Sequence, residues 1–239
     1  MTTAQPARHP ARSPRRRPSV STVVGELLLT LGALLLLFAF YESYWTNIAS
    51  NRMQDDVQTR LEEQWVNPRA ARAVELGNAF SKMYIPAFGQ DYQFAILEGV
   101  QEQQLLAGPG HYPGTQLPGQ PGNFAVAGHR VGKGAPFNDL GKLETCDDIV
   151  VETQTERITY RVLPIDGEQA DCFNGIPPEY SHVVGRHITT PGDVSVTNPV
   201  PESDAAPNRE ILTLTTCHPQ FSNAERMIVH AMEVEKEEK

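Results

Sequence analysis

Two hydrophobic patterns divide the chain. From Val20 to Tyr41 the residues are almost all apolar, VSTVVGELLLTLGALLLLFAFY, with Glu26 as the only charge. A helix of about 20 such residues crosses the hydrocarbon core of a bilayer. Residues 42–75 are polar with charges of both signs, and Val57, Leu61 and Trp65 fall at helical spacing until Pro68 ends or kinks the pattern. This predicts a helical stalk, with a mobile linker as the other reading. From about Leu76 the pattern changes to short alternations and apolar runs, the mark of strands. They cover Phe80–Ile85, Gln93–Glu98, Phe124–Ala127, Ile149–Thr153, Arg157–Leu163, His182–Ile188, Val194–Val196, Glu210–Thr216 and Arg226–Val234. In the strand from Glu210, Leu212 and Leu214 fall on one face and Ile211, Thr213 and Thr215 on the other, which predicts half-burial. Short helical turns are predicted at Gln101–Leu106 and Pro136–Leu143. Between Gly108 and Asn123, five Gly and four Pro argue against any regular structure. Many short strands with closely spaced turns predict an antiparallel barrel or sandwich.

Charge adds a direction. The net charge is −9, yet Arg8, Arg12, Arg15, Arg16 and Arg17 all precede the first acidic residue, Glu26. The Pro- and Ser-containing segment 1–19 cannot bury a core and reads as a disordered tail. Basic residues before an apolar span hold the N-terminus in the cytoplasm and place the bulk of the chain outside the cell. Tyr41, Tyr44 and Trp45 suit an aromatic belt at the outer interface. A cleaved signal peptide is disfavoured, because bulky Phe-Ala-Phe-Tyr stands where a small-x-small site belongs. The expected division is therefore a basic tail over 1–19, a membrane anchor over 20–41, a stalk over 42–75, a catalytic domain over 76–234 and a solvated acidic tail over 235–239. Membrane lipid is an expected partner. No phosphate loop or basic-aromatic patch argues for nucleotides or nucleic acid.

The candidate chemistry sits near the C-terminus. The strand from Glu210 ends at Thr216-Cys217, a loop follows through His218-Pro219 and Ser222-Asn223, and the next strand starts at Arg226. An antiparallel pair puts Cys217 and Arg226 at one sheet edge. A nearby positive charge favours the thiolate, the nucleophilic form, and a guanidinium can donate to the oxyanion formed when a thiolate attacks a carbonyl. A small buried Cys and an ordinary surface Arg is the bland alternative. The string Thr213-Leu214-Thr215-Thr216-Cys217, followed nine positions on by Arg226, resembles the signature of sortases, the cysteine transpeptidases of Gram-positive cell surfaces. Arg-Met-Ile-Val-His-Ala after it is similar to class E sortases, as is GPGHYPGT…PGQPGNFAVAGHR upstream. The resemblance spans residues 76–234 and implies a mainly β fold, a closed eight-stranded barrel with short helices.

A thiol nucleophile needs a proton carrier for the leaving amine. Among the seven histidines, His129 closes a strand after Gly128, where a side chain can project from the barrel rim. His9 falls on the cytoplasmic side, His111 in the Gly/Pro segment, His182 and His187 in a loop-rich stretch, His218 beside Cys217, and His230 within a strand as a packed or surface residue. The resemblance assigns the catalytic histidine to the Ala-Gly-His at His129. It further implies that Cys217 forms a thioester, that Arg226 stabilises the oxyanion or positions substrate, and that Tyr112 lines the pocket for the sorting signal. An ordinary loop aromatic is the alternative for Tyr112. Thr216 is a candidate oxyanion contributor through its backbone or hydroxyl. The implied substrate is an LAXTG- or LPXTG-like signal cut between Thr and Gly, and the implied acceptor is an amine of a peptidoglycan precursor. Cys146 and Cys172 lie on the extracellular side by this topology, and an oxidising space favours a disulfide between them, with solitary thiols as the alternative. No Cys/His spacing fits a zinc site, so neither metal nor cofactor is expected. A non-catalytic membrane-anchored β-domain for adhesion or scaffolding, and a thiol peptidase with water as acceptor, are the competing readings.

Overall fold

The computed structural model describes residues 19–66, 75, 77–168 and 171–239. The basic tail up to residue 18, Pro68 and the expected domain start at Leu76 lie outside the described residues. Residues to Ser43 form one unit and those from Tyr44 a second. A single α-helix, α1, runs Val20–Val66, and in the first unit its apolar side chains are exposed along the whole described length. That stretch is long and apolar enough to cross a membrane.

Among the described residues of the second unit are nine strands: β1 (Ala79–Tyr84), β2 (Gln93–Glu98), β3 (Gly110–His111), β4 (Gly122–Ala127), β5 (Asp148–Glu152), β6 (Glu156–Val162), β7 (Arg186–Thr189), β8 (Glu210–His218) and β9 (Glu225–Glu238). They follow the order β6-β5-β1-β2-β3-β4-β8-β9, and a further pairing of β6 with β9 closes the ring, so eight strands form a barrel and β7 hangs on the free side of β9. Closure removes the exposed edges an open sheet presents. One short helix, α2, spans Glu102–Ala107.

Several expectations need correction. The pairing is mixed, since β2 with β3 and β4 with β8 are parallel. The Gly/Pro segment does contain a strand: β3 joins β2 to β4. It is possible because Gly110 lacks a Cβ, which would stand 2.2 Å from the Gly99 carbonyl oxygen. Residues 194–196 are not a strand: Val194 caps, and Ser195 and Val196 begin, a 3-10 turn at Ser195–Thr197. Asp193 Oδ1 accepts from both the backbone N–H and the hydroxyl of Ser195, and this local capture outcompetes a ladder. Residues 235–239 are not a free tail, because Glu235–Glu238 continue β9 against β6, with exposed side chains. β8 is buried on both faces rather than one.

That double burial reflects two clusters. Leu212 and Leu214 pack inside the barrel with Phe124, Val126 and Val229. Ile211 packs outside it with Met232, Leu163, Tyr180 and Val200, under the long connection between β6 and β8. Cys146 and Cys172 are joined in a disulfide, Cα–Cα 6.0 Å.

Within the second unit, the helical segment from Tyr44 is docked rather than free. Leu61 is 1% exposed. Glu62 is ion-paired with Lys82 of β1, and the Trp65 ring lies 5.4 Å from Lys82 Nζ and 4.5 Å from Lys239 Nζ. Gln54 Nε2 donates to the Lys133 carbonyl at 3.3 Å. Leu61→Ala should therefore lower the unfolding free energy by about 2–4 kcal/mol, as buried leucine truncations do. Urea denaturation of the full chain in detergent micelles measures it. A change under about 0.5 kcal/mol, the surface-substitution range, would mean the helix is not docked.

Candidate active site

The site is built on β8 and its two neighbours. β8 and β9 are antiparallel, with Cys217 directly opposite Arg226. Opposed residues on antiparallel strands have Cα atoms about 4.5–5.5 Å apart and side chains on one face. On the other side, β4 runs parallel to β8, with Ala127 level with Thr215, and the Gly128 N–H extends the ladder by donating to the Thr215 carbonyl at 3.1 Å. Two residues past Ala127 comes His129, and two past Thr215 comes Cys217. The parallel register thus carries His129 to the level of Cys217, one strand away. Arg226 and His129 flank the thiol from opposite sides.

A cleft of about 480 Å3 opens there, lined by Cys217, His129, Arg226, Glu102, Arg130, Lys133 and Phe221, among others. Cys217 is the free cysteine and is half-buried. Arg226 Nη1 donates to the carbonyls of Asn223 at 3.3 Å and Glu225 at 2.9 Å. These bonds to its own loop hold the guanidinium at the rim.

Two features fix the turn that carries His129. Thr216 Oγ1 donates to the Gly128 carbonyl at 2.8 Å and is buried. Gly128 itself lies against Phe137, where a Cβ would sit 2.5 Å from the ring. The Thr216 hydroxyl therefore has its single proton engaged, so of the two expected routes to an oxyanion, backbone or hydroxyl, only the backbone remains open. The hydroxyl positions the His129 turn from the barrel side instead.

Electrostatics at His129 favour the neutral ring. Burial pushes its pKa down, the Lys133 ammonium pushes the same way, and the Glu102 carboxylate pulls up against both. Glu102 Oε2 is 3.8 Å from His129 Nε2, too far for a hydrogen bond, and that nitrogen is buried without a partner. The Glu102 carboxylate bonds Lys133 instead, and this pair holds Glu102 below its usual range.

Sequence reasoning missed Glu102, Lys133 and Arg130. Glu102 opens α2, and nothing in its local pattern tied it to a histidine 27 positions on. Arg130 follows His129 directly, which was the available signal. Its Nη1 donates to the Cys217 carbonyl at 3.2 Å and contacts His218 Nδ1 at 2.6 Å, clamping the chain at Cys217. Tyr112 stands just behind the cleft, with its hydroxyl 2.9 Å from Thr215 Oγ1. Thr215 shares the outer face with Cys217. His111 is buried, held by Glu98, Thr115 and the Gln116 carbonyl as a structural residue.

Comparisons with known proteins agree with this arrangement. The Sortase domain family matches residues 83–234. Sortase SrtE1 of Streptomyces coelicolor is 35% identical over 236 residues, covering 95% of this chain, and the chain spans 60% of that protein's length. The SrtF sortase structure from Corynebacterium diphtheriae is 57% identical with a TM-score of 0.67, covering 72% of this chain and 93% of that one. Sortase E from Streptomyces avermitilis is 36% identical with a TM-score of 0.54, covering 69% of this chain and 93% of that one. The closed barrel, the family match over most of the β unit and the resemblance to sortase E proteins lead to one conclusion: this chain belongs to the sortase family of cysteine transpeptidases, with the features of class E.

Proposed function

We propose that the protein is a membrane-anchored transpeptidase that cuts an LAXTG- or LPXTG-like sorting signal between Thr and Gly and transfers the protein to a peptidoglycan-precursor amine. The observation that carries this reading is the register that brackets Cys217 between Arg226 and the His129 turn. The thiol gives its proton to His129, and the sulfur attacks the scissile carbonyl. Arg226 donates to the oxyanion that develops, where fixed donors act most strongly. His129 then protonates the departing amine, leaving a thioester on Cys217. The incoming amine attacks the thioester, His129 takes its proton, and the thiol is regenerated. A histidine held neutral at rest is a strong acid once protonated, which suits delivery to an amine leaving group. Tyr112 contributes to the signal-binding face beside Thr215. The apolar part of α1 serves as the anchor, with the arginine-rich N-terminus cytoplasmic and the barrel outside the cell.

Cys217→Ala should abolish cleavage of an LAXTG peptide while leaving the unfolding midpoint unchanged, and mass spectrometry of the wild type should find the acyl adduct on Cys217. Cleavage by the Ala variant would remove the mechanism. Product analysis with and without an amine acceptor distinguishes transfer from hydrolysis by water.

Arg226→Lys keeps the charge but not the forked donor geometry. We expect kcat to fall roughly 100- to 1,000-fold, as for loss of one oxyanion donor, with little change in KM. Near-normal turnover would assign Arg226 a charge role only.

Lys133→Gln should raise the pKa of His129. The substitution deletes a positive neighbour and also frees Glu102, and both changes favour the imidazolium. NMR titration of the His129 ring in the two proteins reads this directly. An unchanged or lower value would show that burial alone sets the histidine's protonation.

A further inference from the structure

The outer face of β8 and β9 carries a second polar group, four residues along each strand from the Cys217–Arg226 pair, about 13 Å away. There Thr213 lies opposite His230. A chain of hydrogen bonds fixes the proton on His230. Asn123 Nδ2 donates to the carbonyls of Val196 and Asn198, both at 3.0 Å. Its Oδ1 accepts from Thr213 Oγ1 at 2.7 Å. The threonine hydroxyl has one proton, and that bond uses it. Thr213 Oγ1 must then accept from His230 Nδ1, 2.8 Å away. His230 Nε2 is left with a bare lone pair. The residue is 0% exposed, and this nitrogen has no hydrogen-bond partner.

The lone pair meets other unpartnered groups. His187 on β7 pairs with Ile228, so its ring shares the outer face with His230. The two ring centroids are 5.5 Å apart. Both His187 nitrogens are buried without a hydrogen-bond partner. Glu202 Oε1 comes within 3.2 Å of His187 Nε2, but off the hydrogen-bonding direction. One nitrogen from each histidine and one Glu202 oxygen lie within 4.8 Å of one another. Buried polar atoms without partners are rare and point to something that fills the space between them.

We propose that His187, Glu202 and His230 form a binding site for a divalent d-block cation, zinc above all. Two imidazoles and a carboxylate are a zinc-type donor set. Calcium, which takes six to eight oxygens, does not suit it. Metal–ligand distances near 2.1 Å require donor separations of about 3.4 Å, so the donors must close by about an ångström. The exposed Glu202 side chain and the half-buried His187 ring can supply that movement. Asn123 and Thr213 act behind His230 as the orienting shell that metal-bound histidines have. The ion would tie the connection between β7 and β8 to the strand that carries Arg226. Sequence spacing could not reveal the site, since its ligands come from two strands and a loop. It departs from the expectation of no metal. A trapped water is the alternative occupant.

The test uses the full chain in detergent micelles with Cys217→Ala, which removes the one competing thiol. We expect one equivalent of zinc per chain to survive gel filtration, cobalt(II) to give the visible absorption of a four-coordinate site, and zinc to raise the thermal unfolding midpoint. In that background Glu202→Gln and His187→Gln, both at positions with room for the change, should each weaken zinc binding at least about tenfold. Thr213→Val should weaken it by about 10- to 100-fold, the range for lost orienting partners. The metal-free unfolding midpoint of the Glu202→Gln, His187→Gln double variant checks its folding. No stoichiometric metal, or full zinc binding by a folded double variant, overturns the site and leaves water as its occupant.

Discussion

The constraint on which this molecule depends is the register of β8 between two neighbours of opposite direction. The parallel ladder to β4 and the antiparallel ladder to β9 both run to the same end of β8. Each delivers one side chain to the level of Cys217. Strand side chains alternate with a strict period of two, so a slip of one residue on either side would turn His129 or Arg226 to the opposite face. The bond from Thr216 to the Gly128 carbonyl works against such a slip, because it ties the end of β8 to the turn after β4 from inside the barrel. The apolar pattern reinforces it, since Leu212 and Leu214 fill the interior only in this register.

The same register decides what each face of β8 can be used for. Between Glu210 and Thr216 the inner face is apolar, with Leu212 and Leu214. The outer face begins apolar at Ile211, where the long connection covers it, then turns polar through Thr213 and Thr215 to Cys217. Polar groups are tolerated on a buried face only when they are bonded, and both threonines are, to Asn123 with His230 and to Tyr112. This gradient from apolar anchor to polar rim lets one strand serve both as core and as platform for a nucleophile.

How much of this could be read from residues alone follows from the range of the interactions. The long apolar run, the β5–β6 hairpin and the β8–β9 pair rest on contacts between near neighbours, and their patterns are plain. Cys217 and Arg226 fell together because a short loop joins their strands. His129 was different: its level with Cys217 depends on a parallel pairing across 88 residues, which no local period encodes, so its place at a strand end favoured it only modestly and the sortase resemblance singled it out. The same limit hid Glu102, Arg130 and the strand at Gly110–His111. Where the reading failed locally, a specific bond won over propensity. Asp193 turned a β-branched run into a 3-10 turn. The acidic terminus became a strand because β6 offers it a ladder, with Lys236 and Lys239 bonded to Glu210 and Glu152.

The two histidines on the outer face show how one scaffold sets opposite fates for the same side chain. His230 is fully covered, with its Nδ1 proton committed through Thr213 to an asparagine whose own donors are both occupied. With Nδ1 donating to Thr213, the ring is held in one tautomer. His129 is partly open, has no bonded partner on Nε2, and sits between an ammonium that repels its charged form and a carboxylate that attracts it. A ring locked in one tautomer is suited to hold something in place, whereas a ring balanced between two neighbouring charges is suited to pass a proton on. Burial disfavours charge on both rings; at His129 the Glu102 carboxylate, 3.8 Å away, opposes that effect, whereas at His230 the neighbouring His187 and His182 reinforce it.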